Sequence, residues 1–273
     1  MPVSRLFLLR TLAPLAVLGV ASTVFFDRHF IKRNTFRLRK NPQPTAELKI
    51  VQVSDLHLKS VHFGLRRMCQ EINALQPDLL VFTGDSLDDP TKLGCLEELL
   101  GLLDDAVPKV AILGNWEYKR RVDLAQLRGV YAQHNCQLLV NQSTSFTVHN
   151  KRIAVSGTDD LLQGTANYTQ TLADYQPADY HLLLTHCPQY YDVILTKYTG
   201  TPPIDLVLAG HTHGGQITVL GFAPVLPVGS GRYVDGWFTK HHPPLYVSRG
   251  VGTSNFPVRL GPRAEVTLFL VAL

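Results

Sequence analysis

Five short apolar runs recur along the chain: LKIVQVSDLH (48 to 57), DLLVFTGD (78 to 85), KVAILGN (109 to 115), HLLLTH (181 to 186) and IDLVLAGHTH (204 to 213). Each stops at Asp, Asn or His. Near-continuous apolar runs of this length predict strands buried on both faces, as in a sheet covered by helices. Between them, residues 65–75 put Leu65, Met68, Ile72 and Leu75 on one helical stripe, and residues 93–103 carry a second helical pattern. Residues 143–158 predict a hairpin turning at Asn150, and residues 265–272 predict the last strand. The mixture predicts an α/β (α+β) fold of two stacked mixed sheets with helices outside.

The N-terminus breaks this rhythm. Residues 11–26 hold no charge, and with Leu6 to Leu9 the apolar stretch approaches the roughly 20 residues needed to span hydrocarbon, interrupted by Arg10. A basic cluster from Arg28 to Lys40 follows, suited to anionic headgroups. We assign residues 1–40 to a single-pass membrane anchor with a basic flank, 41–46 (NPQPTA) to a linker, and 47–273 to one domain. The six bases after the apolar stretch, against Arg5 and Arg10 before it, favour a cytoplasmic catalytic side. A cleaved signal with a small-residue site near Gly19 and Ala21, or a buried helix, are the alternatives.

Composition agrees with one globular domain: 273 residues, 45% hydrophobic and 18% charged. The net charge of +4 belongs to the N-terminus. The first 40 residues hold eight of the 26 bases and one of the 22 acids, leaving 18 bases against 21 acids beyond them. That body has no basic footprint for nucleic acid. Four scattered cysteines, without C-x-x-C spacing, predict free buried thiols.

In α/β folds the ligand crevice lies beyond the carboxyl ends of the strands, so the residues ending the five runs converge there: Asp55, His57, Asp85, Asn115, His186, His211 and His213. In Asp55-x-His57 and His211-x-His213 alternate side chains can face the same way. Any one of these residues could simply cap a helix or turn. Five strand ends out of five carrying a metal-competent side chain point to a shared site. Seven ligands exceed one ion and suit two. The mixed oxygen and nitrogen set favours Mn, with Fe or Zn as alternatives, over an all-oxygen Mg or Ca cage. Two divalent cations against two aspartates leave a positive site, able to acidify a bridging water and to attract phosphate. Asn115 fills a ligand position without cancelling charge.

These motifs, D-x-H at 55 to 57, G-D at 84 to 85, G-N at 114 to 115, T-H at 185 to 186 and G-H-T-H at 210 to 213, resemble the full series of the calcineurin-like metallophosphoesterases, in order and over nearly all of residues 48–273. GHTHGGQ with LYVSRGVGTSNFPVRLG (245 to 261) is similar to a membrane-associated bacterial branch of that family, related to enzymes that cleave a lipid-linked sugar nucleotide. The resemblance implies a four-layer αββα sandwich at the bacterial inner membrane. It implies that Asp85 bridges the metals, that Asp55, His57 and His213 hold one ion, and that Asn115, His186 and His211 hold the other. The implied activity is hydrolysis of a phosphodiester or diphosphate bond by hydroxide held between the ions, on a phosphorylated small-molecule or lipid substrate. An exported phosphomonoesterase and a non-catalytic metal-bound scaffold are the rival readings.

The chain departs from the family at Trp116, where members typically carry a His that assists the leaving group. An indole N–H can donate a hydrogen bond but cannot give up its proton. Either the leaving group is good, as in a diphosphate, or His62 or Tyr118 supplies the acid. Asn115 and Arg249, the latter set among glycines in SRGVGTS, are candidate substrate contacts. Lys119-Arg120-Arg121 could receive a phosphate, residues 221–238 could form an apolar groove, and Cys187 is expected to serve packing.

Overall fold

The computed structural model describes residues 19, 21, 25, 26, 30–200, 202–218, 222–254 and 257–273. The uncharged stretch from 11 to 26 lies, but for four residues, outside them. Among the described residues no helix is long and apolar enough to cross a membrane.

Two six-stranded mixed sheets form the centre. The first contains β1 (Lys32–Arg39), β2 (Glu47–Val53), β3 (Leu79–Thr83), β4 (Lys109–Ile112), β5 (Cys136–Leu139) and β12 (Glu265–Ala272), in the order β1-β12-β2-β3-β4-β5. Its strands β2 to β5 run parallel, and β12 is antiparallel to β2. The second contains β6 (Gln142–Val148), β7 (Lys151–Gly157), β8 (Tyr180–Leu184), β9 (Leu206–Ala209), β10 (Gly236–Phe238) and β11 (Leu245–Val247), in the order β10-β11-β9-β8-β7-β6. The predicted hairpin is the antiparallel pair β6 and β7, followed by β7, β8 and β9 in parallel.

Because side chains alternate along a strand, each sheet feeds two cores. Ile50, Val81, Val110 and Ile112 face Val155, Leu182, Leu184 and Leu208 between the sheets. Val51, Val53, Leu80 and Phe82 face outward onto α1 (Phe63–Leu75), α2 (Leu93–Leu100) and α4 (Leu124–Gln133), through Met68, Ile72, Leu96, Leu99 and Leu127. On the far side Leu183, Val207 and Ala209 meet Tyr190, Tyr191 and Ile194 of α6 (Tyr190–Lys197). Two short helices, α3 (Asn115–Lys119) and α5 (Tyr168–Thr171), complete the set. The layers run helix, sheet, sheet, helix, which is the expected αββα sandwich.

The first sheet begins earlier than Glu47. Lys32–Arg39, in the stretch assigned to the basic flank, is an edge strand paired in parallel with β12 along its full length. Asn34, Phe36 and Leu38 turn inward while Lys32, Arg33, Arg37 and Arg39 stay exposed. Phe36 packs against Phe269, Tyr246 and Trp237. A line of charged side chains along an edge strand discourages pairing with other chains.

Candidate metal centre

Four of the five runs leave their strand and present the candidate residue two positions later: β2 ends at Val53 and Asp55 follows, β3 at Thr83 and Asp85, β8 at Leu184 and His186, β9 at Ala209 and His211. Asn115 comes three positions after β4. The backbone then turns sharply. Asp55, His57, Asp85, His211 and His213 all take left-handed conformations, with φ of 52°, 42°, 52°, 74° and 52°. Asp, Asn and His visit this region more readily than other non-glycine residues, yet each instance stores roughly 1 kcal/mol or more. The turns tilt all the side chains into one crevice at the sheet ends.

Glycines let these turns approach one another. Gly84 has φ +90°, and a Cβ there would lie 2.5 Å from His186 Nδ1 and 2.8 Å from the Gly114 nitrogen. A Cβ on Gly210 would press into Ser54 Oγ and lie 2.5 Å from Asp55 Oδ2. Gly84 is thus fixed by conformation as well as by space, and Gly210 by space alone.

The seven residues lie together in this crevice. Asp85 Oδ2 lies 3.2 Å from His186 Nε2 and 3.6 Å from His57 Nε2. His57 Nε2 is 3.1 Å from His213 Nε2, which is 3.8 Å from Asp55 Oδ1. His186 Nε2 is 3.2 Å from Asn115 Oδ1 and 3.2 Å from His211 Nδ1. Asp55, His57 and His213 form one buried group of potential ligands, and Asp55, Asp85 and His186 form an adjoining one.

Second-layer hydrogen bonds aim the lone pairs. His186 Nδ1–H donates to the Thr83 carbonyl at 2.8 Å, and His211 Nε2–H donates to the Val228 carbonyl at 2.7 Å. In the neutral rings the two nitrogens facing each other across 3.2 Å then both carry lone pairs, which only a cation between them can reconcile. Without a metal, a proton takes that place. Burial opposes the charge on His186, but the Asp85 carboxylate and its hydrogen bond keep the imidazole protonated well above the ordinary range. Burial likewise works against the Asp85 carboxylate, yet the His186 charge holds its pKa at about 2. Burial raises Asp55 to about 6. It pushes His57 down to about 4 against the pull of Asp85, and His211 to about 4 with help from His186. Two carboxylates and four imidazoles, all buried, converging with the half-buried amide oxygen of Asn115, fit two divalent cations.

Two further residues support the loops and carry no obvious sequence signal. Glu117, 1% exposed, accepts backbone N–H bonds from Ser86 (2.6 Å), Leu87 (3.1 Å), Gly114 (3.0 Å) and Asp85 (3.2 Å), tying the β3 and β4 turns together. Burial and the charge of Asp85 push its carboxyl up to about 7. Arg259, also 1% exposed, donates to the carbonyls of Gly250, Gly252 and His213 and fastens the loop after β11 beneath His213. A chain of side chains, Gln52 to Thr83 to Ser54 to Asp55, runs through the interior at 3.0, 2.7 and 2.5 Å, and Gln52 also donates to the Ala209 carbonyl of the other sheet.

The weaker sequence candidates divide. Arg249 is engaged by Asp235, 2.5 Å from its Nε, and by Glu265, and it packs on the Gly214 turn. Tyr118 donates its O–H to Asp159 at 2.7 Å, and burial with that bond raises the phenol far above its usual range, so its proton is held. His62 caps α1 by accepting the Gly64 N–H, and it lines a cavity of about 160 Å³ beside His57. Cys187 is buried and donates to Asp160, with burial pushing its thiol up, as a packing residue would. All four cysteines are free. Within 221–238, Trp237 and Phe238 belong to β10 and pack against Phe36 and Tyr233, while Phe222 and Val225 stay exposed.

Trp116 stands at the rim. Its backbone N–H donates to Asp85 Oδ1 at 2.8 Å, and its ring meets His57 edge to face at 5.8 Å. Lys119 Nζ and Arg120 Cζ lie 4.4 and 4.8 Å from the ring centroid.

Comparison with known proteins agrees with this geometry. The chain is 29% identical over 270 residues to "Uncharacterized metallophosphoesterase YkuE" of Bacillus subtilis, covering 92% of this chain and 89% of that protein. It is 30% identical over 279 residues to "Phosphodiesterase YaeI" of Escherichia coli, covering 97% of each. It is also 30% identical over 248 residues to a Bos taurus "Transmembrane protein with metallophosphoesterase domain", covering 84% of this chain and 54% of that one. Residues 48–215, which span every candidate ligand from Asp55 to His213, match the model of the calcineurin-like phosphoesterase family, and the chain belongs to that family.

Proposed function

We propose that this chain is a membrane-anchored phosphodiesterase acting on a substrate whose leaving group departs without a proton from the protein. At the coarser level the chain is a metal-dependent hydrolase of phosphate ester or anhydride bonds, with two adjacent His/Asp metal-binding sites. Asp55, His57 and His213 would hold one ion, Asn115, His186 and His211 the other, and Asp85, in reach of both His57 and His186, would bridge them. Mn suits this donor set, as do Fe and Zn. When bound, two such cations supply Lewis-acid stabilisation of phosphoryl charge and lower the pKa of a water held between them.

The protein's own contributions are orientation and restraint. Asn115 presents a neutral oxygen, so the ligand shell keeps excess positive charge for an anionic substrate. Glu117 and Arg259 hold the loops that carry Asp85, Asn115 and His213.

The observation that carries the leaving-group reading is Trp116. It occupies the rim position beside His57, its indole has no proton to transfer, and the neighbouring Tyr118 is committed to Asp159. The test compares aryl with alkyl phosphodiesters in wild type and in Trp116→His. Wild type should favour the aryl ester strongly, and the His should raise alkyl turnover by about 10- to 100-fold more than aryl turnover. An aryl-to-alkyl ratio unchanged by the substitution would overturn this reading.

The uncharged stretch from 11 to 26 and the transmembrane description of the bovine relative support a single-pass N-terminal anchor in a bacterial inner membrane, with the catalytic domain on the cytoplasmic side. Protease protection in inverted vesicles tests the orientation. Digestion of the domain only in right-side-out vesicles would place it on the outer side.

A further inference from the structure

We propose that Lys119 and Arg120, gathered over the indole of Trp116, form a second phosphate-binding subsite beside the metal centre, so that the chain prefers substrates with two linked phosphoryl groups over single phosphodiesters. The proposal rests on the phosphoesterase reading above and names the substrate class it leaves open.

The first observation is how these cations are held. Many of the basic side chains fixed elsewhere are paired with carboxylates, as are Lys40 with Asp205, Arg66 with Glu98, Arg67 with Glu71, Arg232 with Asp192 and Arg249 with Asp235, while Lys49, Lys109, Arg128 and Arg259 donate to backbone carbonyls. Lys119 and Arg120 form no ion pair among the described residues and lie instead 4.4 and 4.8 Å from the Trp116 ring centroid. Asp88 and Asp89 lie close enough to feel the Arg120 charge, but neither forms an ion pair with it among the described residues. An aromatic face orients a cation without neutralising it. A carboxylate would orient it equally well and cancel the charge an anion needs. Both cations are exposed while the indole beneath them is only 7% exposed, so the ring is a buried platform and the charged heads face outward.

The second observation is location. Trp116 is locked to Asp85 through its backbone and meets the ring of His57, so the platform borders the metal centre directly. An anion seated there would lie on the Trp116 side of a phosphoryl group held at the metals.

Charge and geometry then specify the ligand. A guanidinium offers a planar fork for two phosphate oxygens, and an ammonium adds a mobile point charge. A single phosphodiester carries one negative charge, which the metal centre alone can satisfy. A diphosphate carries more, and its second phosphate meets the two uncancelled cations. Trp116 in place of His thus exchanges a proton donor for a platform that recognises a substrate needing no proton donor. An anionic lipid headgroup offers the same phosphate chemistry, so the test must separate the two sources.

The test measures binding by calorimetry to the Mn-loaded protein, using a dialkyl methylenediphosphonate, which cannot be hydrolysed at its bridge, and a dialkyl phosphate. Wild type should prefer the diphosphonate. In the double variant Lys119→Ala/Arg120→Ala the preference ratio should fall by about tenfold or more, the scale of a lost charge-assisted contact to phosphate. Trp116→Leu, which keeps the backbone N–H to Asp85 and both cations, should lose a large part of the ratio, and Trp116→Phe should lose less. A ratio unchanged in the double variant overturns the proposal. So does a double variant that stops binding phosphatidylglycerol vesicles while keeping its diphosphonate preference, since the cations would then serve headgroups. Hydrolysis of an aryl phosphodiester by wild type is scored separately. If turnover is absent but the preference ratio behaves as stated, the subsite stands and the reading of the reaction falls; turnover with an insensitive ratio is the reverse.

Discussion

Substituting Gly84 by Ala tests the tightest point of the centre. Gly84 sits between β3 and Asp85 with φ +90°, where an L-residue loses roughly 1–2 kcal/mol to backbone conformation alone. The added Cβ would also lie 2.5 Å from His186 Nδ1, 2.8 Å from the Gly114 nitrogen and 2.9 Å from its Cα. None of these neighbours can swing away: two are backbone atoms, and His186 is pinned by its bond to the Thr83 carbonyl. Forced overpacking of this kind costs about 1–3 kcal/mol. The sum, about 2–5 kcal/mol, is a large share of a typical domain's stability and should lower Tm by about 4–20 °C. Because the displaced group is a candidate ligand, Mn affinity should fall as well, by about tenfold or more. Thermal and urea unfolding measure the first effect and calorimetric Mn titration the second. Gly129→Ala is the control: it lies in α4 with no atom within 4 Å of the new Cβ, and it should stabilise by up to about 1 kcal/mol. If Gly84→Ala unfolds within about 0.5 kcal/mol of wild type and binds Mn equally well, the close approach inferred here does not exist.

Other outcomes follow from protonation and metal linkage. A cation entering the centre must displace the proton on His186 and, near and below pH 6, one on Asp55, so Mn affinity should rise with pH and binding should release protons. Calorimetry in buffers of different ionisation enthalpy reads that release, and pH-independent affinity from about pH 5.5 to 8 would contradict it. Saturating metal should also protect the fold: about 2.7 kcal/mol per ion at a hundredfold excess over Kd, seen as a Tm that drops on adding chelator. Away from the centre, burial depresses His181 to about 4, with its ring bonded to the Pro203 carbonyl and Ser156. Below its unfolded pKa of 6.5 the unfolded chain binds the proton that the folded chain refuses, so up to about 3 kcal/mol of stability should be lost as pH falls from about 6.5 to about 4. Urea unfolding of His181→Gln should show a flatter pH profile over that window.

The strands that carry the centre were legible because a strand buried on both faces must be apolar at every position. The runs around Val51, Val81, Ile112, Leu183 and Val207 therefore stood out from their surroundings. The seven candidate ligands were legible because polar chemistry at a strand end interrupts such a run abruptly. β1 was not, although its alternation of Asn34, Phe36 and Leu38 with exposed Arg and Lys is the signature of an edge strand; its basic residues drew attention to charge instead of period. Glu117 and Arg259 were hidden for another reason. Each acts on backbone groups from distant segments, and no local pattern marks a side chain whose partners are N–H or carbonyl groups of other loops. Arg249 is a mixed case: its glycine-rich surroundings are plain in the sequence, whereas its pairing with Asp235 and Glu265 is not, because both partners come from other segments.

The position of β12 has a consequence for how the chain is assembled during synthesis. β1 pairs with β12 and with no other described strand, and β12 lies between it and β2. β1, made ahead of the other strands of its sheet, therefore has no partner there until residues 265–272 have been made. Strands β2 to β5 can pair as they appear, and so can β6 to β9, but the connection to the N-terminus is sewn in last. If the N-terminus is already held in a bilayer by then, the domain remains free to turn on that tether while its sheets form. On the proposed anchoring, it would acquire a fixed bearing toward the membrane only once β12 is paired between β1 and β2.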